Sequence, residues 1–324
     1  MQLEVVDNID ALERFRGEWL SFAITLNGQT PFQLPDWLLT WWQHSGSGAL
    51  RVLIFRERGG LAGVIPLFRH EWRGRRQLTL IGSGISDYLE PAIAPERHRE
   101  VIEELRRYLT QTPDWDICDW QDLGADTPLA GLARVQDDTP CAEIKLTGSF
   151  EDYWTKRGKD LRRNLRRYGE RADKVSTTEF AVTADRALVD DLIRLHGDRW
   201  RRHGEAGTIA SNNSAEFLRE VSRQFARADI LRLFSLRFHS EIVAISVGFL
   251  WRNRLYSYLS AFDPQYEILG FGRKLLYESL RHAYEQHYTA WNFCRGEEPY
   301  KFSFGAVSIP KCRLTVTRAG LDTG

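Results

Sequence analysis

Residues Arg254 to Lys301 read RLYSYLSAFDPQYEILGFGRKLLYESLRHAYEQHYTAWNFCRGEEPYK, and the order of elements in this stretch decides the fold. Arg254 to Phe262 alternate in character and are rich in Tyr, Leu and Phe, the composition of a strand. Asp263-Pro264 opens a turn. From Gly272 the apolar residues Leu275, Leu276, Leu280 and Ala283 recur at helical spacing and predict a helix to about His287. Trp291-Asn292-Phe293 reads as a short buried strand, and Arg295 to Lys301 as a charged turn. Glycines at the mouth of a helix let backbone N–H groups converge on an anion with no Cβ in the way. The helix N-terminus adds roughly half a positive charge, so a pyrophosphate is a natural guest. A dinucleotide-binding fold would need a third glycine where Leu275 stands, and is rejected.

The spacing around Gly270 and Gly272 resembles the acyl-CoA signature of the GNAT acyltransferase superfamily, Gln/Arg-x-x-Gly-x-Gly/Ala, which lies between that family's fourth strand and third helix. Further stretches resemble the CelD/BcsL-type acetyltransferases, a subgroup related to the Fem-type aminoacyl transferases. They are Phe32 to Trp42 (FQLPDWLLTWW), Ser86-Asp87-Tyr88, His196-x-x-Arg199-Trp200, Ala261-Phe262-Asp263-Pro264 and Arg295-Gly-x-Glu298-x-Tyr300-Lys301. Two positions depart from the pattern: Glu267 stands where Gln or Arg is usual, and Asn292 where the subgroup carries Asp.

The resemblance implies an α+β chain of two tandem GNAT-like domains, each a mixed, mostly antiparallel sheet flanked by helices. Internal similarity points the same way. LRVLIFRERGGLAGVIPLF from Leu50 and LRLFSLRFHSEIVAISVGF from Leu231 align their apolar positions, each around a tight turn (Gly59-Gly60; His239-Ser240). Each is followed by a strand, a loop, a helix (about Pro95 to Thr110; Gly272 to His287) and a last strand. The expected division is 1–140, without a cofactor site because Pro91 and Pro95 interrupt the loop that starts at Gly82, and 141–324, with an acyl-CoA site. Gly124 to Pro140 reads as the linker.

By the same resemblance the acyl carbonyl is met by strand amides near Leu259, Ser260, Ala261 and Phe262. The diphosphate is held around Ile268, Leu269, Gly270, Phe271, Gly272 and Arg273, and the thiol lies near Asn292. Tyr300 protonates the departing thiolate, which a phenol with pKa near 10 can do while neutral at pH 7. Asp263, Glu298 and His196 are the candidate bases. Asp263 could equally cap a turn, Glu298 could pair with Arg295 or Lys301, and His196, on one helical arc with Arg199, Trp200 and His203, could belong to a helix packed by Trp200 with its charges in solvent. A lysine-like amine with pKa of about 10.4 is neutral in about one molecule in a few thousand at pH 7, whereas an α-amino-like group is neutral in roughly one in six. Asp87, Tyr88, Arg199, Trp200, Arg295 and Lys301 are candidate acceptor contacts. The basic run from Lys156 to Lys174, with Leu161, Leu165 and Tyr168 interleaved, reads as a helix with a solvated face; Arg163 and Arg166 are the residues in it best placed to neutralise phosphates.

Composition restricts the remaining choices. The 324 residues carry 44 basic and 44 acidic side chains, so bulk charge predicts no general attraction to nucleic acid. Cys118, Cys141, Cys294 and Cys312 have no paired spacing, which argues against a zinc site and fits a reducing compartment. No run of eighteen apolar residues is present, so no membrane span is expected, and the cytoplasm is the default location. The reading is an acyltransferase that moves an acyl group, acetyl in first place, from acyl-CoA as co-substrate to an amine of a polar small molecule or saccharide, by direct attack in a ternary complex. The alternatives are Fem-type transfer from aminoacyl-tRNA, or a non-catalytic binding protein on a decayed GNAT fold.

Overall fold

The computed structural model describes residues 1–203, 209 and 211–321, apart from the side chains of residues 199, 200, 202, 203 and 321. The chain divides into two compact units, residues 1–139 with 310–324, and residues 140–309. Residues 310–321 therefore group with the first unit, where the sequence expectation placed them in the second half.

In unit 1, α1 (Ile9–Thr25) and α2 (Pro35–Ser45) precede the hairpin of β2 (Ala49–Glu57) and β3 (Gly60–Trp72), and β1 (Gln2–Val6) pairs with β2. Then come β4 (Arg75–Leu80), the short β5 (Ala92–Ile93) on β3, α3 (His98–Gln111) and β6 (Ile117–Gly124). β4 and β6 run parallel; the other pairs are antiparallel. The outer partner of β6 is supplied by the C-terminal part of β13 (Val307–Thr317), in antiparallel register from Lys311↔Gly124 to Thr317↔Ile117. The helix α10 (Arg318–Leu321) follows. The left-handed residues of the β2–β3 turn are Arg58 and Gly59, one position before the expected glycine pair.

Unit 2 repeats the plan. The segment Cys141–Lys145 of β7 (Val135–Lys145) is followed by α4 (Phe150–Thr155), α5 (Lys159–Asp173), β8 (Thr178–Thr183), α6 (Leu188–His203) and α7 (Asn212–Arg227). The expected linker thus gives way to strand from Val135 onward. β9 (Leu231–Phe238) and β10 (Glu241–Trp251) form a hairpin through His239 and Ser240, whose φ values of 50° and 65° are the pair that a two-residue hairpin turn needs. β11 (Arg254–Phe262), α8 (Phe271–Glu285), β12 (Ala290–Arg295) and α9 (Pro299–Ser303) complete the unit. The strand order is β7-β12-β11-β10-β9-β8, with β11 and β12 the parallel pair.

The sequence dictates this layering. β10 is buried from Ile242 to Phe249, the run of a strand covered on both faces. The strip Phe271, Leu275, Leu280 and Ala283 packs α8 on Phe234, Leu236, Leu255, Trp291 and Phe293. Each large side chain so buried contributes about 1.5–3 kcal/mol. The four cysteines are reduced and buried. Among the described residues no helix is long and apolar enough to cross a membrane.

Candidate active site

The parallel pair in the middle of unit 2 is short. β11 and β12 are in register only at Arg254↔Ala290, Leu255↔Trp291 and Tyr256↔Asn292. Beyond that point both strands turn. β11 carries one residue more than β10, because Val247 faces Leu259 and Gly248 faces Ser257, which leaves Tyr258 as the bulged residue. β12 carries one more than β7 between Asn292↔Glu143 and Arg295↔Cys141, with Cys294 left-handed at φ 59°. The Asn292 side-chain oxygen accepts the Cys294 N–H at 2.8 Å and holds that kink. Residues 257–262 of β11 thus run on beyond the register they share with β12.

Ladder geometry says which amides face the opening. Asp263 N–H donates to the Val243 carbonyl at 2.7 Å, and the Leu259 carbonyl accepts from Ser246 Oγ at 3.2 Å, so both point toward β10. Alternation along the strand sends the amides of Ser260 and Phe262 to the other edge, toward the gap. Along the expected stretch Leu259–Phe262, Ser260 is exposed and Ala261 buried. The equivalent parallel seam of unit 1 is stitched shut. Thr79 Oγ1 donates to the Asp119 carbonyl at 2.7 Å, and Trp120 Nε1 to the Leu78 carbonyl at 3.0 Å.

The β11 edge leads into the glycine turn. Asp263 Oδ1 accepts the Gln265 N–H at 2.8 Å and caps a 3-10 turn over Pro264–Leu269, the capping alternative raised from the sequence. Gly270 ends that turn at φ 61° and spends its own N–H on the Glu267 carbonyl at 3.0 Å, so this amide is withdrawn from the expected anion cradle. Phe271 and Gly272 open α8, at positions whose N–H groups have no partner inside their helix. The side chains of Leu269 and Phe271 join the core, so these residues offer only backbone. Ile268 is 70 % exposed. A Cβ on Gly272 would come within 3.0 Å of the Phe262 ring; a bare Cα lets the helix start against the strand.

Tyr168, which the sequence reading left among the basic residues of α5, covers Gly270. A Cβ at Gly270 would lie 2.5 Å from its ring, and Arg273 donates to its hydroxyl at 3.3 Å. The basic helix therefore packs over the glycine turn. Arg163 pairs with Asp160 at 2.7 Å and Arg166 with Glu170 at 3.8 Å, both on its exposed side.

The Arg295–Lys301 motif is a braced loop. Lys301 is 2 % exposed, and its ammonium donates to the carbonyls of Arg295 (2.7 Å) and Gly296 (3.0 Å) and pairs with Glu298 at 2.8 Å. This corrects the assignment of Lys301 as an acceptor contact: a buried cation with three oxygen partners is architecture. Glu298 takes the pairing alternative rather than standing free as a base. Gly296, at φ 105°, leaves room for that carboxylate, 2.7 Å from where a Cβ would be. The loop presents Tyr300, 39 % exposed and edge-on to Phe293 with ring centroids 6.2 Å apart, next to the half-buried Arg295.

Other candidates sit deeper than expected. Asn292 has no exposed surface; besides accepting from Cys294 it donates to Glu143 at 3.2 Å, so it shapes the groove without lining it, which corrects its reading as a cofactor contact. His196 is 4 % exposed on α6, which packs against β10 and β11. Its imidazole is therefore inside the packing, not in solvent as the plain helix reading has it. Arg199 and Trp200 continue α6, and their side chains lie outside the described residues. In unit 1 Asp87 is buried, and the Tyr88 ring stacks on Phe32 at 6.1 Å with the Lys311 ammonium 4.0 Å from its centre. A 770 Å³ hollow in unit 1, lined by residues such as Arg134, Asp137 and Thr315, contains none of the candidate residues. Among the described residues no His, Cys, Asp or Glu cluster could hold a metal ion.

Comparison with known proteins agrees with this geometry. Residues 159–302 match the family described as Acetyltransferase (GNAT) domain. The open strand edge, the glycine turn and Tyr300 all lie inside the matched residues. Among solved structures the fold is similar to FemX, with a TM-score of 0.68 at 10 % identity over 98 % of each chain. It is also similar to a conserved protein of unknown function from Bacteroides thetaiotaomicron, with a TM-score of 0.65 at 14 % identity over 97 % of this chain and 100 % of that one. Among curated proteins no sequence match is found.

Proposed function

We propose that the protein is an N-acyltransferase that uses acyl-CoA, acetyl-CoA first, and acylates an amine of a polar small molecule or saccharide. The observation that carries this is the edge of β11 left open past Tyr256, which ends beside the first turn of α8. Pantetheine is an extended chain with two amides and can add to such an edge as a strand would. The amides of Ser260 and Phe262 then donate to the thioester carbonyl and stabilise the oxyanion that forms as the amine attacks. The first-turn amides of Phe271 and Gly272 and the positive end of α8 meet the diphosphate.

The amine must be neutral to attack. Collapse of the tetrahedral intermediate breaks the carbon–sulfur bond, and the thiolate takes a proton, for which Tyr300 is the proposed donor. Of the carboxylates near the turn, Asp263 keeps one oxygen beyond its capping bond and is the residue we assign to receiving the amine proton through water. Arg199, Trp200 and Arg295 remain the proposed acceptor contacts, unit 1 acts as scaffold, and the cytoplasm is the proposed site of action. The subgroup we assign is the CelD/BcsL type.

Calorimetry with coenzyme A tests the reading. Binding to the native protein that is lost in Ser260→Pro supports it, since that substitution deletes an N–H on the open edge and costs no ladder bond. No binding of coenzyme A or acetyl-CoA to the native protein refutes it. Transfer from charged tRNA is the second reading, favoured by the exposed basic face of α5. Retention of aminoacyl-tRNA without coenzyme A binding would select it.

A further inference from the structure

The point where β11 and β12 part is held by a buried polar group that the reaction does not use. Three residues meet in one row across three strands: Tyr256 on β11 faces Asn292 on β12, and Asn292 faces Glu143 on β7. Glu143 and Asn292 are 4 % and 0 % exposed. A buried carboxylate is tolerated only when paired and hydrogen-bonded. Glu143 meets that condition through Arg254, at 2.6 Å across the sheet, and through the Asn292 amide at 3.2 Å. The Asn292 oxygen then turns back to the Cys294 N–H, the residue in left-handed conformation that bends β12 away. One side chain therefore joins the last paired position of the two strands to the kink that separates them.

We propose that Glu143, Asn292 and Arg254 form a clamp that fixes the angle at which β11 and β12 diverge, and so act as positioning residues for the acyl donor. The proposal rests on the reading of the open β11 edge as the donor groove. Asparagine suits the role because it is donor and acceptor at once. It gives its N–H to a carboxylate and its oxygen to an amide. Aspartate would keep the second bond and turn the first into a contact between two carboxyl groups. The other titratable groups facing this cluster are Tyr256 on β11, Cys141 on β7 and Cys294 on β12. Burial pushes the Tyr256 phenol above its ordinary value, so it stays neutral across the working range.

The test uses coenzyme A affinity and steady-state kinetics on the full chain. Asn292→Leu removes both bonds and is expected to weaken coenzyme A binding by about tenfold or more, the scale of a lost hydrogen bond to a charged group. Asn292→Asp is expected to bind at near-native strength at low pH, where one proton is shared between the two carboxyl groups, and to weaken as pH rises and both ionise. Glu143→Gln in the Asn292→Asp background relieves the repulsion and is expected to restore binding at high pH. A residue that served stability alone would move the melting temperature of these variants but not the pH profile of affinity or its rescue. If the leucine variant does not fold, the aspartate pair still decides. A folded leucine variant with native affinity, or a flat pH profile for Asn292→Asp, overturns the clamp while native binding of coenzyme A stands. Absence of coenzyme A binding in the native protein overturns the donor groove and the clamp with it.

Discussion

Replacing Gly270 by alanine places a methyl group where the Tyr168 ring already stands. The ideal Cβ would lie 2.5 Å from Cδ2 and 2.7 Å from Cγ of that ring, well inside contact distance. The backbone adds a second cost, because φ is 61° there and a residue with a Cβ loses about 1–2 kcal/mol in the left-handed region. Overpacking of a well-filled site costs about 1–3 kcal/mol more. The sum, about 2–5 kcal/mol, should lower the urea midpoint of unit 2 by about 1 M or more at ordinary slopes. The two terms separate in a double-mutant cycle. In a Tyr168→Ala background the ring is gone, so Gly270→Ala should cost only the backbone term, with a coupling of about 1–3 kcal/mol between the sites. Urea unfolding of the four proteins, followed by circular dichroism, measures both. A loss below about 0.5 kcal/mol for Gly270→Ala, or an equal loss in both backgrounds, would refute the placement of Tyr168 over the turn.

Tyr300→Phe should lower turnover by about tenfold or more, within the usual range for a lost general acid, while coenzyme A affinity stays native; unchanged turnover removes the proton-donor role. Lys301→Met leaves the Arg295 and Gly296 carbonyls without their buried donor, while the exposed Glu298 carboxylate turns to water, and should cost about 1–3 kcal/mol in unfolding free energy, the scale of a buried acceptor left unsatisfied. The Glu90 carboxyl titrates above its ordinary value of 4.5, chiefly because burial disfavours the charge, although the Thr127 hydroxyl and the Gly124 N–H oppose the shift. Its contribution to stability is therefore full below pH 4.5 and is lost as pH rises through the raised value. Glu90→Gln should flatten that part of a stability-versus-pH curve, and an identical curve would show that Glu90 does not set it.

The strand, glycine turn and helix over residues 254–285 were legible because alternation, Asp-Pro and helical spacing are local signals. β13 was not, since Pro310, Lys311 and Arg313 disguise a strand whose identity comes from pairing with β6, far away in sequence. The site divides along the same line. Leu161, Leu165 and Tyr168 announce an apolar face on α5, but nothing local says that the face covers Gly270. Lys301 read as an acceptor contact, whereas the fold wraps the carbonyls of Arg295 and Gly296 around it. Asn292 read as a departure from a family pattern, and its use appeared only with Glu143, 149 positions away along the chain.

That unit 1 takes the outer partner of β6 from residues 311–317 ties its maturation to the synthesis of all of unit 2 before them. When residue 139 leaves the ribosome, β6 still has a bare row of N–H and C=O groups along the side that Lys311–Thr317 will occupy. Such a row is a template for wrong partners, including a neighbouring nascent chain. The first unit to be made is thus the last to be sealed, and residues 311–317 work as the fastener.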